Sequence, residues 1–164
     1  MVYLDNAATT PMDEEVVGRV LESMQDIFAN SGTPYRIGLD AKRHIENSAE
    51  VIADYLGVPS SHRIIFTSGG TESNNLFIKG LCFPDKKTAF SGLEHPSITE
   101  SLASLKQFGN EAFSLLPFQV NGRLDLNSVL PLSENRVKLL CLSHVNNELG
   151  TVNDPVQIIS ALAK

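Results

Sequence analysis

Short apolar runs alternate with amphipathic stretches along this chain, and that alternation constrains its fold more than any other feature. Four runs have the composition of buried strands: 63–67 around Ile64-Ile65-Phe66-Thr67, "KTAFSG" from Lys87, "AFSLLP" at 112–117 and "VKLLCLS" at 137–143. Between them apolar residues recur at helical spacing. Thr10 as cap and Pro11 at the first position predict a helix carrying Val16, Val17, Val20, Leu21, Met24, Ile27 and Phe28. "ANSGTPYRIG" (29–38) reads as a loop. A second helix places Ala41, Ile45, Ala49, Ile52 and Leu56 on one face and ends at Gly57 and Pro59. Further helices are expected up to Gly80, from Pro96 through Ile98, Leu102, Leu105 and Phe108 to Gly109, as a short piece near 125–131, and from Pro155. "QVNGRL" (119–124) carries an Asn-Gly turn signal. Strands alternating with helices imply an α/β fold: a mostly parallel sheet covered on both faces.

In such sheets ligands bind outside the carboxyl ends of the strands. That rule selects Ser68 to Thr71 after the first strand, Glu94 and His95 after the second, and His144, Asn146, Asn147 and Glu148 after the last. The first group lies in "IIFTSGGTESNN" (64–75), where Gly69 and Gly70 separate an apolar run from a helix start. A glycine turn at a helix N-terminus presents backbone N–H groups and a favourable dipole to an anion such as a phosphate. It is equally a plain tight turn, and no Gly-Lys-Ser/Thr follows to make it an ATP-binding loop. His95 is either an acid/base group and aromatic platform or a cap for the helix at Pro96. Asn146 and Asn147 are ligand donors or turn formers. His144 reads as a hydrogen-bonded structural residue and Cys141 as a buried thiol, while Cys82 has no neighbour that would activate it.

Composition removes other classes. The chain has 164 residues with net charge −6, and its basic residues are scattered, which argues against nucleic acid and anionic membrane surfaces. No run is long enough to span a bilayer, and "MVYLDNAATT" has no secretory pattern. The two cysteines lack metal or disulfide spacing, so no metal is expected and a reducing cytoplasm fits best. "DPVQIISALAK" opens as a helix without a closing signal, and the chain reads as cut short.

Four segments taken together resemble the N-terminal part of the cysteine desulfurases, pyridoxal-phosphate enzymes of the class V aminotransferase fold: "YLDNAATTP" (3–11), "FTSGGTESNN" (66–75), "EHPSI" (94–98) and "HVNNELGTV" (144–152). Their order and spacing match, and the resemblance covers essentially the whole chain. It implies a three-layer, aspartate-aminotransferase-like large domain, incomplete here, over 13–164, and a segment 1–12 that reaches the substrate pocket. Pyridoxal 5′-phosphate would be bound by Gly70 and Thr71 at its phosphate, by His95 stacking on the ring and assisting proton transfer, and by Asn147 at the ring oxygen or substrate. Ala8, Thr9 and Asn30 would belong to the substrate pocket. The implied reaction converts L-cysteine to L-alanine, with sulfur taken by an enzyme cysteine as persulfide and passed to acceptor proteins, for example in iron–sulfur cluster assembly. A cytoplasmic homodimer is implied.

The chain departs from the family in two ways. Asn30 is followed by Ser31 where the family has Asn-Pro, and Arg36 stands near a family histidine. The family's aspartate for the pyridine nitrogen, its Schiff-base lysine and its sulfur-accepting cysteine have no match here. None of Lys42, Lys79, Lys86, Lys87, Lys106, Lys138 or Lys164 falls in a matching segment, and neither does Cys82 or Cys141. The chain alone is therefore expected to be inactive. The alternatives are a non-catalytic remnant that binds a ligand or partner subunit, and another class V enzyme such as an aminotransferase or selenocysteine lyase.

Overall fold

The computed structural model describes residues 2–58, 61–81, 87–106, 113–129 and 137–162, which fall into two compact units, Met1–Phe66 and Thr67–Lys164.

The first unit holds helices α1 (Glu14–Asp26) and α2 (Arg36–Leu56). Helix α1 starts later than Thr10-Pro11 would suggest. Asp13 is its cap, accepting the Glu15 N–H at 2.9 Å, and Glu14 and Glu15 occupy the first turn. A carboxylate cap followed by acidic residues complements the helix dipole better than Thr10 could, and the helix begins where that complement is. Helix α2 starts inside the segment expected to be a loop, because Gly38 serves close approach rather than a turn. It is buried, and a Cβ there would lie 2.7 Å from the Thr33 carbonyl oxygen and 2.8 Å from that of Asn30. The far end is as expected: Gly57 is left-handed (φ 62°), and the Val58 N–H reaches back to the Ala53 carbonyl at 3.1 Å. Pro59 lies outside the described residues.

The run 62–67 is not a strand. A strand exists only through a partner that takes its N–H and C=O groups, and among the described residues none pairs with it; Ile65 and Phe66 are 62% and 52% exposed. Composition alone cannot supply that partner.

The second unit contains α3 (Gly70–Leu81), β1 (Lys87–Ser91), α4 (Pro96–Lys106), β2 (Phe113–Leu116), a single 3-10 turn (Leu126–Ser128), β3 (Val137–Cys141) and α5 (Pro155–Leu162). The strands form a parallel sheet in the order β2-β1-β3, with Ala89 opposite Ser114 and Leu140. This is the α/β class expected from the alternation. Side chains of β1 and β3 alternate between two cores. On one face Ala89 and Leu140 pack with Leu116, Leu124, Val129 and Ile158 of α5. On the other, Phe90, Leu139 and Cys141 pack with Ile78 of α3 and Leu102 and Leu105 of α4. Helices therefore cover both faces, and Cys141 is buried as expected.

Two shorter features follow their sequence signals. The Asn-Gly segment is a tight turn: Phe118 and Leu124 form an antiparallel bridge, and Gly122 has φ 76°. The piece near 125–131 is shorter than expected, a 3-10 turn capped by Asp125, which accepts the Asn127 N–H at 3.1 Å. Cys82, Phe108, Gly109 and Lys164 lie outside the described residues. Among those described, no helix is long and apolar enough to cross a membrane.

Candidate functional site

The glycine turn opens α3 directly. Thr67 Oγ1 bonds to the Gly69 carbonyl (3.1 Å) and to Ser73 Oγ (2.7 Å), which fixes the approach to the helix. Ser68 donates both its N–H (2.6 Å) and its hydroxyl (2.7 Å) to one oxygen of Glu72, in the first turn. The next three N–H groups, of Gly69, Gly70 and Thr71, and the Thr71 hydroxyl have no acceptor among the described residues. A Cβ added at Gly69 or Gly70 would meet nothing within 4 Å, so the turn is open to solvent. An anion could therefore take the unpaired donors of Gly70 and Thr71, whereas Glu72 already occupies those of Ser68.

The Ser68 backbone and hydroxyl donors hold the Glu72 carboxyl below the usual carboxylate range. A depressed folded-state value contributes stability above the ordinary value, and that contribution is lost as pH falls through the lowered one. Glu72→Gln is accordingly expected to loosen the start of α3 at neutral pH. Its stability difference from the parent chain should vanish on acidification, as read by urea unfolding across that range. A difference independent of pH would show that the charge is not what holds Ser68.

His95 follows β1 and is the N-cap residue of α4. Its carbonyl accepts the Ile98 N–H at 2.8 Å, and its Nδ1 accepts the Ser97 N–H at 3.0 Å. Pro96 fits the first position, where no N–H is needed. The ring is exposed, and Nε2 has no partner among the described residues. The capping role and an outward-facing nitrogen therefore coexist, one on each nitrogen. Ser97, buried at 7% exposure, also places Oγ 2.8 Å from Nδ1 and accepts Asn74 Nδ2 of α3 at 2.8 Å. That link joins the start of α4 to the first turns of α3, bringing Gly70, Thr71 and His95 to one edge of the sheet.

The segment after β3 comes to the same edge. Glu94, beside His95, is buried; its Oε1 accepts Ser91 Oγ (2.7 Å) and the Ser143 N–H (3.1 Å), and its Oε2 accepts Ser143 Oγ (2.7 Å). Asn146 is buried too: Nδ2 donates to the Leu93 carbonyl (2.8 Å), and Oδ1 accepts the N–H groups of Glu148 (2.9 Å) and Leu149 (2.8 Å). With Oδ1 and one Nδ2 hydrogen committed to backbone, Asn146 anchors the loop. Asn147 is exposed and has no partner among the described residues. His144 is held by the Asn153 carbonyl at 2.7 Å, the structural role expected of it.

Ala8, Thr9 and Asn30 belong to the first unit. The Ala8 N–H closes a turn on the Asp5 carbonyl (3.0 Å), and Thr9 Oγ1 bonds to Tyr3 Oη (3.0 Å). Asn30 Oδ1 caps its own loop through the Gly32 N–H at 2.8 Å. Arg36 is exposed and pairs loosely with Asp40 at 3.9 Å. Ser97 and Asn74 lie within helices and are not selected by position after a strand. The available signal was His-Pro-Ser at cap, first and second helix positions, a spacing that aims the second N–H at the cap side chain.

The pattern of the class V aminotransferases matches residues 2–164. The chain belongs to the class V aminotransferase family. It is 36% identical over 167 residues to a protein of Dictyoglomus turgidum named cysteine desulfurase IscS, covering 99% of this chain and 42% of that protein. A Methanosarcina thermophila protein of the same name is 35% identical and is covered to 41%. Among solved structures, a NifS-like protein superposes with a TM-score of 0.88 at 28% identity, over 98% of this chain and 45% of that one. A structure described as SspA in complex with cysteine gives 0.84 at 33% identity, over 98% and 47%. The chain thus spans about two fifths of the length of the curated relatives it matches.

Proposed function

We propose that this chain is the N-terminal, cofactor-binding portion of a cysteine desulfurase, a pyridoxal 5′-phosphate enzyme that converts L-cysteine to L-alanine and passes the sulfur to an enzyme cysteine as persulfide. The observation that carries the proposal is one sheet edge holding unpaired N–H groups at Gly70 and Thr71, an exposed imidazole at His95 and an unpartnered amide at Asn147. Relatives named for this activity support it.

Pyridoxal phosphate, when bound, supplies the electron sink for the chemistry at the amino acid. Gly70 and Thr71 would donate to its phosphate, where the α3 dipole favours a dianion. The flat His95 ring would lie against the pyridine, with Nε2 free to hold or deliver a proton. Asn147 would donate an amide N–H to a ring or substrate oxygen. Segment 1–12 with Ala8 and Thr9, together with Asn30, would contribute to the substrate pocket. A homodimer and sulfur-acceptor proteins would be the partners. No lysine or cysteine of this chain matches the family's catalytic ones, so the chain alone would turn over no cysteine.

Titrating the purified chain with pyridoxal phosphate, followed by absorbance, tests the site. Thr71→Ala and His95→Ala should each weaken binding on the order of 10-fold, the equivalent of one hydrogen bond or one ring contact. Binding unchanged in both variants would overturn the assignment. Alanine formation from L-cysteine should not exceed that of free cofactor, and any excess would reveal a catalytic group missed here.

A further inference from the structure

We propose that Ser97 and Asn74 are positioning residues for His95, holding its imidazole in the tautomer that carries its proton on Nε2. The direction of each bond follows from one fact. The Ser97 backbone N–H lies 3.0 Å from His95 Nδ1 and can only donate, so Nδ1 presents a lone pair and no proton. Ser97 Oγ lies 2.8 Å from the same nitrogen, and against an unprotonated Nδ1 the hydroxyl must be the donor. Its lone pairs are then available to Asn74, whose Nδ2 donates to Oγ at 2.8 Å. The relay runs one way, from the Asn74 amide through the Ser97 hydroxyl to Nδ1. A neutral imidazole carries one N–H, and only Nε2 remains for it.

Burial makes the relay selective. Ser97 is 7% exposed and Asn74 is half-buried, so water competes little for these bonds, while the ring itself is exposed with Nε2 unpartnered among the described residues. A cap made by the backbone N–H alone would leave the ring free to rock about that bond. The hydroxyl adds a second donor to the same lone-pair region and sets the ring plane. Because Asn74 lies one turn beyond Gly70 on α3, the relay also ties the ring's orientation to the phosphate turn. The catalytic importance of the tautomer rests on the proposed placement of His95 against the cofactor; the tautomer itself rests on the hydrogen bonds.

The test is long-range proton–nitrogen NMR on the chain labelled with ¹⁵N-histidine. The chain has four histidines, and the His95 signals are assigned by their loss in His95→Gln. The parent chain should show a single His95 tautomer, protonated at Nε2. Ser97→Ala should shift the tautomer ratio about five-fold toward Nδ1–H, the loss of one neutral hydrogen bond. Ser97→Thr should restore the parent ratio, and Asn74→Ala should move it the same way by less. The signals of His44, His62 and His144 report whether each variant is folded. A proton on Nδ1 in the parent chain, or a folded Ser97→Ala variant with an unchanged ratio, would overturn the proposal. If the relay is confirmed but added pyridoxal phosphate leaves the His95 signals unmoved, the placement against the cofactor fails and the relay stands.

Discussion

Glu94→Ala is expected to destabilise the chain by about 2–3 kcal/mol, measured as a fall in the urea midpoint at unchanged slope. The carboxylate is buried and holds three donors, the Ser91 hydroxyl and the Ser143 N–H and hydroxyl, and among the described residues no cation pairs with it. Two effects oppose each other. Removing a buried charge relieves desolvation, which favours the variant. Truncation also strands a backbone N–H at the end of β3 and two hydroxyls beside it, which favours the parent. The second effect should win, because alanine fills none of the vacated volume and a stranded donor costs more than a neutral hydrogen bond gains. Glu94→Gln separates the two: it keeps a carbonyl for the Ser143 N–H, and the Ser143 hydroxyl can turn to accept from the new amide. Its loss should be about 1 kcal/mol. An alanine variant as stable as the glutamine variant would mean that water satisfies the stranded groups. Because His95 is the next residue, the alanine variant should also bind pyridoxal phosphate less tightly.

What could be read from the sequence divides along physical lines. Local periodicity is enough for β1, β3, α4 and α5, because each of those elements expresses its burial pattern within its own residues. The run 62–67 fails for the opposite reason: a strand needs a neighbour, and composition does not encode one. The starts of α1 and α2 were misplaced where two plausible signals competed. Asp13 displaced Thr10 as a cap, and Gly38 proved to be a contact residue and not a breaker. At the site, position after a strand selects His95 and Asn147, and the structure leaves both exposed beyond the ends of β1 and β3. Position could not reveal that capping and exposure are compatible in His95, because that depends on which ring nitrogen faces the helix. The adjacent asparagines show the same limit. In sequence they are equivalent, and only the path of the chain past Leu93 makes one an anchor and leaves the other exposed.

That asymmetry predicts opposite behaviour for the two asparagines. Asn146→Ala should cost about 2–3 kcal/mol, since it removes the bond to the Leu93 carbonyl and leaves the Glu148 and Leu149 N–H groups without their acceptor. Backbone bonds to Thr151 and from Gly150 remain at 2.9 Å each, and Glu94 still holds Ser143, so the hairpin after β3 should persist while its tie to Leu93 is lost. Asn147→Ala removes an exposed side chain with no partner among the described residues, and its effect on stability should stay within about 0.5 kcal/mol. In cofactor titrations both variants should bind more weakly, Asn147→Ala by losing a contact and Asn146→Ala by releasing the loop that presents it. Asn146→Asp sharpens the distinction. It keeps the acceptor for Glu148 and Leu149 but sets a carboxylate oxygen against the Leu93 carbonyl, so it should be destabilised through the long-range bond alone. If Asn147→Ala left cofactor binding unchanged while Asn146→Ala weakened it, the segment after β3 would act on the site only by shaping the ends of β1, and Asn147 would have no direct part in it.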